Sequence, residues 1–228
     1  MRAILAATAR LEEWKAIAGV AEQSDIVFGA VGIHPFFVAE APPDLESRLR
    51  EHLTSHHRLR AVGEIGLDFF DSRETLPDQM ELLRVQLRVA QALDLPVLLH
   101  NRKSWNEFLP LWKQEWAGKV TGICHNFTAS VELARQLLDA GLFISFCGPV
   151  TYSNARNVKA CARFVPLDRL LTETDTPDLP AEPYRHNSRS EPSQVRVILD
   201  EIAAIRHTDA DTVAEAIWKN AVQLLRIE

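Results

Sequence analysis

The sequence lacks the patterns that mark several large classes of protein. No apolar run reaches the roughly 18 residues that a membrane span needs, and the apolar segment within residues 1–7 is too short for the core of a secretory signal. There is no Gly-x-Gly-x-x-Gly, no phosphate-binding P-loop and no Gly-x-Ser-x-Gly, so nothing indicates a dinucleotide-binding protein, a P-loop nucleotidase or a serine hydrolase. Its three cysteines, Cys124, Cys147 and Cys161, form no Cys-x-x-Cys pair. A sparse, odd number of cysteines favours a reduced, cytoplasmic protein.

An excess of basic residues is also missing. The chain has 25 Lys and Arg against 31 Asp and Glu, a formal charge of -6, so bulk attraction to nucleic acid or to an anionic membrane is not expected. A local basic patch beside a metal site stays compatible with this charge, because the ion brings its own positive charge. With 228 residues, 46% of them hydrophobic, the chain can bury a sizeable core. We predict a single domain over residues 1–228, with no membrane association and no obligate protein partner.

Short apolar runs alternate with longer helical patterns along the chain. Several runs are continuously apolar, as is typical of parallel strands buried on both faces. The predicted strands are Ala3–Ala7, Ile26–Ile33, Leu59–Leu67, Pro96–Leu99, Val120–Cys124, Leu142–Cys147 and Leu170–Thr174. The predicted helices are Gln79–Asp94, a helix opened by a capping box over Ser104–Glu107, Val131–Ala140, Pro192–Arg206 and Asp209–Leu225. This alternation predicts an α/β fold, either an open doubly wound sheet or a (β/α)8 barrel.

Ionisable side chains lie at or near the carboxyl ends of five predicted strands. They are His34, Glu64, His100, His125 and Asp175. Because parallel strands end on one face, these side chains would converge, and a barrel gathers them more closely than an open sheet does. His, Glu and Asp are the ligands of Zn²⁺, Mn²⁺ and related ions. Each residue alone has a plain structural role, as a capping group or an ion-pair partner, but their repeated placement predicts a metal site.

Basic residues near these strand ends allow two interpretations. Arg102 and Lys103 follow His100 closely, and they either clamp a phosphate or are exposed charges at the start of a helix. Arg185 and Arg189, in the proline-rich loop after Asp175, allow the same two interpretations.

In these segments the sequence resembles the TatD family of metal-dependent deoxyribonucleases, which belongs to the wider group of amidohydrolase-like barrels. The matching segments are Gly32-Ile33-His34-Pro35, Gly63-Glu64-Ile65-Gly66-Leu67-Asp68, His100-Asn101-Arg102, His125-Asn126-Phe127, Glu173-Thr174-Asp175-Thr176-Pro177 and Arg189-Ser190-Glu191-Pro192. Their order and spacing match across nearly the whole chain. In the last segment, Ser190 stands where the family usually has Asn.

The resemblance implies a (β/α)8 TIM-type barrel that holds two divalent metal ions, either Mg²⁺, Mn²⁺ or Zn²⁺, and hydrolyses DNA phosphodiesters as an exonuclease. Glu64 would bridge the two ions, and His100 and His125 would bind one of them. Asp175 would bind the other ion and act as the base. Arg102 would lie near the phosphate, while His34 and Arg189 would line the substrate pocket. DNA would then be the partner, as substrate.

One departure from the family is large. The family's first strand usually carries His-x-His-x-Asp, and this sequence contains no His-x-His. The resemblance therefore predicts a barrel that lacks its first strand and helix, about 25–30 residues at barrel repeat size. Two other functions stay open: hydrolysis of a small amide, lactone or ester at the same metal site, and a catalytically silent, truncated barrel with a binding or structural role.

Overall fold

Strands alternate with helices along the chain. The structure is a computed structural model, and it describes residues 1–186 and 189–227. The chain divides into two compact units, Met1–Ile123 and Cys124–Glu228, which are described separately. The strands are β1 (Ile4–Ala7), β2 (Val27–Val31), β3 (Leu59–Asp68), β4 (Val97–Arg102), β5 (Gly122–Cys124), β6 (Phe143–Phe146) and β7 (Leu170–Thr172).

Eight α-helices are present in the described residues: α1 (Trp14–Glu22), α2 (Leu45–Ser55), α3 (Leu76–Leu93), α4 (Trp105–Leu111), α5 (Val131–Asp139), α6 (Arg156–Phe164), α7 (Val195–Arg206) and α8 (Ala210–Leu225). A π-helical turn, Trp112–Trp116, extends α4. Short 3-10 helices are found at Leu11–Glu13, Pro35–Glu40, Gly148–Thr151, Leu167–Arg169, Tyr184–His186 and Pro192–Gln194. No helix among the described residues is both long and apolar enough to cross a membrane.

In the first unit, β1 to β4 pair in parallel and in chain order. The register between β3 and β4 places Gly66 opposite His100 and Asp68 opposite Arg102. Gly66 has a φ of +152°, and a Cβ built there would lie 1.8 Å from the carbonyl oxygen of His100. Only glycine therefore allows β3 to approach β4 this closely at the point where the candidate site residues lie.

Two buried glutamines of α3 hold the carboxyl ends of β2 and β3. The side chain of Gln86 accepts a hydrogen bond from Ile33 N at 2.7 Å and donates one to Ile33 O at 3.1 Å. Gln79 does the same for Asp68, at 2.8 and 2.9 Å. These bonds satisfy backbone groups that the strand ladder leaves unpaired, and they fix the segments that carry His34 and Asp68.

In the second unit, β6 and β7 pair in parallel, with Ile144 opposite Leu170. Ser130 caps α5 by accepting a hydrogen bond from Leu133 N. Asp209 caps α8 in the same way, with Thr212 N as the donor. These are the side-chain caps that Ser and Asp commonly provide at helix N-termini.

The predicted α/β alternation and the parallel pairing of strands are confirmed within each unit. Several boundaries differ: β4 continues to Arg102, so His100 lies inside the strand, and β7 ends at Thr172. The capping box predicted over Ser104–Glu107 is wrong, because the Ser104 hydroxyl instead donates to Leu67 O at 2.8 Å and makes no helix cap. The single domain, the closure into a (β/α)8 barrel and the missing first strand stay predictions.

Candidate metal centre

Three side chains of the first unit meet at the carboxyl ends of β2, β3 and β4. His34, Glu64 and His100 each offer a ligand atom, and these atoms lie within 4.8 Å of one another. Oε1 of Glu64 is 2.9 Å from Nδ1 of His100 and 3.5 Å from Nε2 of His34. The structure therefore brings together Glu64 and His100, two predicted metal ligands, with His34, a predicted pocket residue.

Asp68 orients the ring of His100. Nε2 of His100 is 2.7 Å from Oδ2 of Asp68, and Phe70 N donates to Oδ1 of the same carboxylate at 2.8 Å. Burial alone would raise the pKa of Asp68, but the hydrogen bonds from His100 and Phe70 hold the pKa of this carboxyl below its ordinary value. An ionised Asp68 accepts the Nε2 proton of His100, which leaves a lone pair on Nδ1.

The pair formed by His100 and Glu64 has the geometry of a cation site. Nδ1 of His100 faces a carboxylate oxygen of Glu64 at 2.9 Å. A lone pair opposite a carboxylate is repulsive unless a proton or a metal ion lies between them. One imidazole nitrogen and one carboxylate oxygen, both positioned by the protein, suit Zn²⁺, Mn²⁺ and similar divalent ions.

The hydrogen bonds of His34 favour a different role. Its Nδ1 accepts from Phe36 N at 3.1 Å, so the neutral ring carries its proton on Nε2. This Nε2 lies 3.5 Å from Oε1 of Glu64. The arrangement favours His34 as a hydrogen-bond donor to Glu64 rather than as a metal ligand.

Two cations lie over one aromatic ring beside this cluster. The guanidinium carbon of Arg102 lies 3.5 Å from the ring centroid of Phe70, and Nζ of Lys103 lies 4.3 Å from it. Phe69 N donates to Arg102 O at 2.9 Å, which fixes the backbone on both sides of this contact. A protein with net negative charge thus carries a local basic patch close to its candidate ligands.

A second cluster lies in the second unit. Nδ1 of His125 is 3.7 Å from a carboxylate oxygen of Glu173 and 3.8 Å from one of Asp175. Asn126 donates from Nδ2 to Asp175 at 3.1 Å, and its backbone N donates to Glu173. One imidazole and two carboxylates are again donors that suit a divalent ion. The structure therefore brings together His125 and Asp175 as well.

Backbone conformation and a buried thiol support this second cluster. Asn126 and Asp175 have φ values of +44° and +52°, in the left-handed region that Asn and Asp tolerate better than other side chains do. Cys147 donates to Oδ1 of Asn126 at 3.0 Å. Burial, with the charges of Glu173 and Asp175, raises the pKa of Cys147 well above its ordinary value, so the thiol remains a neutral donor.

Some functional neighbours were not assigned from the sequence. Asp68, Asn126 and Glu173 lie in the segments that resemble the family, but only the structure relates them to the candidate ligands. A signal existed for Asp68, because residues 64, 66 and 68 share one face of a strand. Of the remaining predicted residues, Arg189 is exposed in the second unit, and its role in the pocket stays a prediction.

An α/β fold of parallel strands with imidazole and carboxylate groups gathered along the strands offers the donors of a metal-binding site. The sequence model of the family described as TatD related DNase matches residues 1–226. The chain therefore belongs to the TatD family.

Similar proteins agree with this assignment. The chain is 35% identical to the uncharacterized metal-dependent hydrolase YabD of Bacillus subtilis, over 90% of this chain and 80% of the relative. It is 34% identical to the uncharacterized metal-dependent hydrolase YcfH of Escherichia coli, over 92% and 77%. The crystal structure of YJJV, a TatD homologue from Escherichia coli, matches with a TM-score of 0.93 and 27% identity, over 100% of this chain and 88% of that one. The named relatives are metal-dependent hydrolases.

Proposed function

We propose that this protein is a metal-dependent hydrolase that cleaves DNA phosphodiesters from an end. The observation that carries the proposal is the pairing of Glu64 with His100, backed by Asp68 and flanked by Arg102 and Lys103. The first group supplies ligands for a divalent cation, and the two basic residues supply fixed positive charge for an anionic substrate. Membership of the TatD family supports hydrolysis as the reaction.

Each residue of the candidate site would have a separate role in binding metal. Glu64 and Nδ1 of His100 would hold one divalent ion, and the resemblance to the family implies His125 and Asp175 as further ligands. When bound, such an ion lowers the pKa of a water molecule and polarises a phosphoryl oxygen. Asp68 keeps the proton of His100 on Nε2, so that Nδ1 stays available as a ligand.

The charge of the substrate distinguishes hydrolysis of a phosphodiester from hydrolysis of a neutral amide or ester. Arg102 would form charge-assisted hydrogen bonds to a phosphate oxygen and stabilise the charge that develops there, with Lys103 adding a second cation. Asp175, as general base, would take the proton of the attacking water, and Arg189 would contact the substrate in the pocket. A neutral amide or ester offers these basic groups no anion to bind, which favours a phosphodiester.

The proposal is tested by restoring activity with single metals. Metal-depleted protein is supplied with Mg²⁺, Mn²⁺ or Zn²⁺, and release of mononucleotides is followed from oligodeoxynucleotides labelled at the 3′ or the 5′ end. Glu64→Gln keeps the shape of the side chain, removes its charge and should abolish the restored activity. A parallel panel of small amides and esters tests the second function. Cleavage of that panel without nucleotide release would establish the amide or ester reaction, and metal binding without any cleavage would establish a silent protein.

A further inference from the structure

An exposed phenylalanine lies beside the metal cluster of the first unit. Phe36 is 51% exposed, so its ring is accessible from solvent. Its ring centroid is 4.7 Å from that of His34 and 6.3 Å from that of His100. An apolar ring therefore borders the position that a scissile phosphate would occupy.

Hydrogen bonds to His34 anchor the backbone that carries this ring. Phe36 N donates to Nδ1 of His34 at 3.1 Å, and Phe37 N donates to His34 O at 2.9 Å. The buried Pro35 precedes them at the start of the short helix Pro35–Glu40. The backbone of Phe36 is therefore fixed relative to His34, and its ring makes an edge contact with the His34 ring.

Other phenylalanines near the cluster have their faces covered by cations. The guanidinium carbon of Arg10 lies 3.9 Å from the ring centroid of Phe37, and Arg10 is itself paired with Glu40 at 3.2 Å. Phe70 lies under Arg102 and Lys103. Phe37 and Phe70 position basic side chains, although Phe70 is itself 44% exposed. The ring of Phe36 differs in its neighbours, because it lies against His34 and is closest to the candidate ligands.

We infer that Phe36 is a base-binding residue, on which the nucleobase next to the scissile phosphate stacks. The inference rests on the proposed function and deepens it. A π face beside a cation site, with Arg102 and Lys103 as a phosphate clamp, matches the parts of a nucleotide: a planar base joined through its sugar to an anionic phosphate. Stacking on an aromatic side chain tolerates every base, so Phe36 selects nucleotides over other phosphodiesters and does not read sequence.

The test compares two oligodeoxynucleotides that differ only in whether their terminal nucleotides carry bases. One has normal ends, and the other has abasic tetrahydrofuran residues at both ends. We expect the unmodified protein to show a KM about ten- to a hundredfold lower for the normal substrate, the range that base stacking supplies. Phe36→Leu should remove this difference by raising KM for the normal substrate alone, with kcat little changed. Phe36→Trp should preserve or widen the difference.

Phe37→Leu is the matched control, because it removes a ring of equal size from the same short helix. The ratio of the two KM values should be the same in this variant as in the unmodified protein. An unchanged ratio in Phe36→Leu, with DNA hydrolysis intact, overturns the inference and leaves the proposed function standing. Failure of the unmodified protein to cleave either oligonucleotide with any of the three metals overturns both. If Phe36→Leu does not fold, Phe36→Trp provides the test. Equal KM values for the normal and the abasic oligodeoxynucleotides in that variant would overturn the inference.

Discussion

The side-chain amide of Gln79 forms two hydrogen bonds with the backbone of Asp68, at 2.8 and 2.9 Å. Asp68 in turn holds His100 through Nε2 at 2.7 Å. A buried residue on α3 therefore acts on a candidate metal ligand through one intermediate side chain. Gln86, two helical turns further along α3, holds Ile33 in the same manner.

Replacing Gln79 by leucine should destabilise the fold. The change keeps a similar volume but leaves the N–H and carbonyl of Asp68 buried without these partners, and each such loss costs about 1–3 kcal/mol. We expect the free energy of unfolding, measured by urea denaturation, to fall by an amount in this range or above it. Gln91→Leu, at an exposed position of the same helix, should change it by less than about 0.5 kcal/mol. Equal effects of the two substitutions would contradict the role of Gln79.

Asp68→Asn should weaken metal binding without removing a ligand. The amide oxygen can still accept a hydrogen bond from His100, but the negative charge that stabilises the tautomer is lost. Loss of such an orienting carboxylate typically lowers metal affinity 10- to 100-fold. Competition with a chromophoric chelator measures the change for Zn²⁺ or Mn²⁺. Asp78→Asn, at an exposed position at the start of α3, serves as the control and should leave the affinity unchanged.

Asp175→Asn should lower turnover sharply and leave folding nearly unchanged. Asparagine tolerates the left-handed backbone of this position, where φ is +52°, so the variant isolates the chemistry of the carboxylate. Loss of a general base typically costs 10²–10⁴-fold in rate. The measurement is kcat on an oligodeoxynucleotide with saturating metal, beside the thermal unfolding midpoint. Asp178→Asn, three residues away and exposed, should retain full turnover, and an Asp175→Asn variant with unaltered kcat would remove Asp175 from the mechanism.

The three thiols should be almost unreactive in the folded protein. All three are buried, and burial, with a smaller effect of Glu132, raises the pKa of Cys161 to about 11. Burial also raises the pKa of Cys124 and Cys147. Since the thiolate is the reactive form, Ellman's reagent at pH 8 should label the folded protein slowly and three thiols rapidly in urea. Rapid labelling of the folded protein at neutral pH would contradict this assignment.

The same pKa shift predicts how stability depends on pH. A folded state that keeps its thiols protonated binds more protons than the unfolded state once the pH exceeds the ordinary thiol value of about 8.5. Stability must then fall as the pH rises, because the unfolded state ionises first. The contribution of Cys161 is complete below pH 8.5 and declines until about pH 11. Urea denaturation of Cys161→Ala and of the unmodified protein, at pH 7.5 and at pH 10, measures this contribution. Between the two pH values, the free energy of unfolding should fall less in the variant than in the unmodified protein.

The sequence alone predicts the strands and the candidate ligands Glu64 and His100, because each has a simple physical signal. Strands buried on both faces are continuous apolar runs, and Glu64 and His100 lie in the carboxyl-terminal halves of two adjacent parallel strands. Buried glutamines give no such signal: in sequence, Gln79 and Gln86 look like the polar positions of an amphipathic helix. Their role depends on backbone groups of β2 and β3, which come close only in the folded chain. The sequence predicts a helix cap at Ser104 for the same reason, since the acceptor that its hydroxyl actually uses, Leu67 O, is distant in sequence.

Gly66 sets the spacing on which the first ligand pair depends. Its missing side chain lets β3 lie against the backbone of His100, where a single methyl group would come within 1.8 Å of the carbonyl oxygen. The separation of Glu64 and His100 therefore depends on the absence of a Cβ at Gly66. This glycine lies two residues from Glu64 and directly opposite His100. A residue without a side chain thus determines whether ligands on two strands can bind the same ion. A substitution of Gly66 would abolish metal binding although every candidate ligand is still present in the sequence.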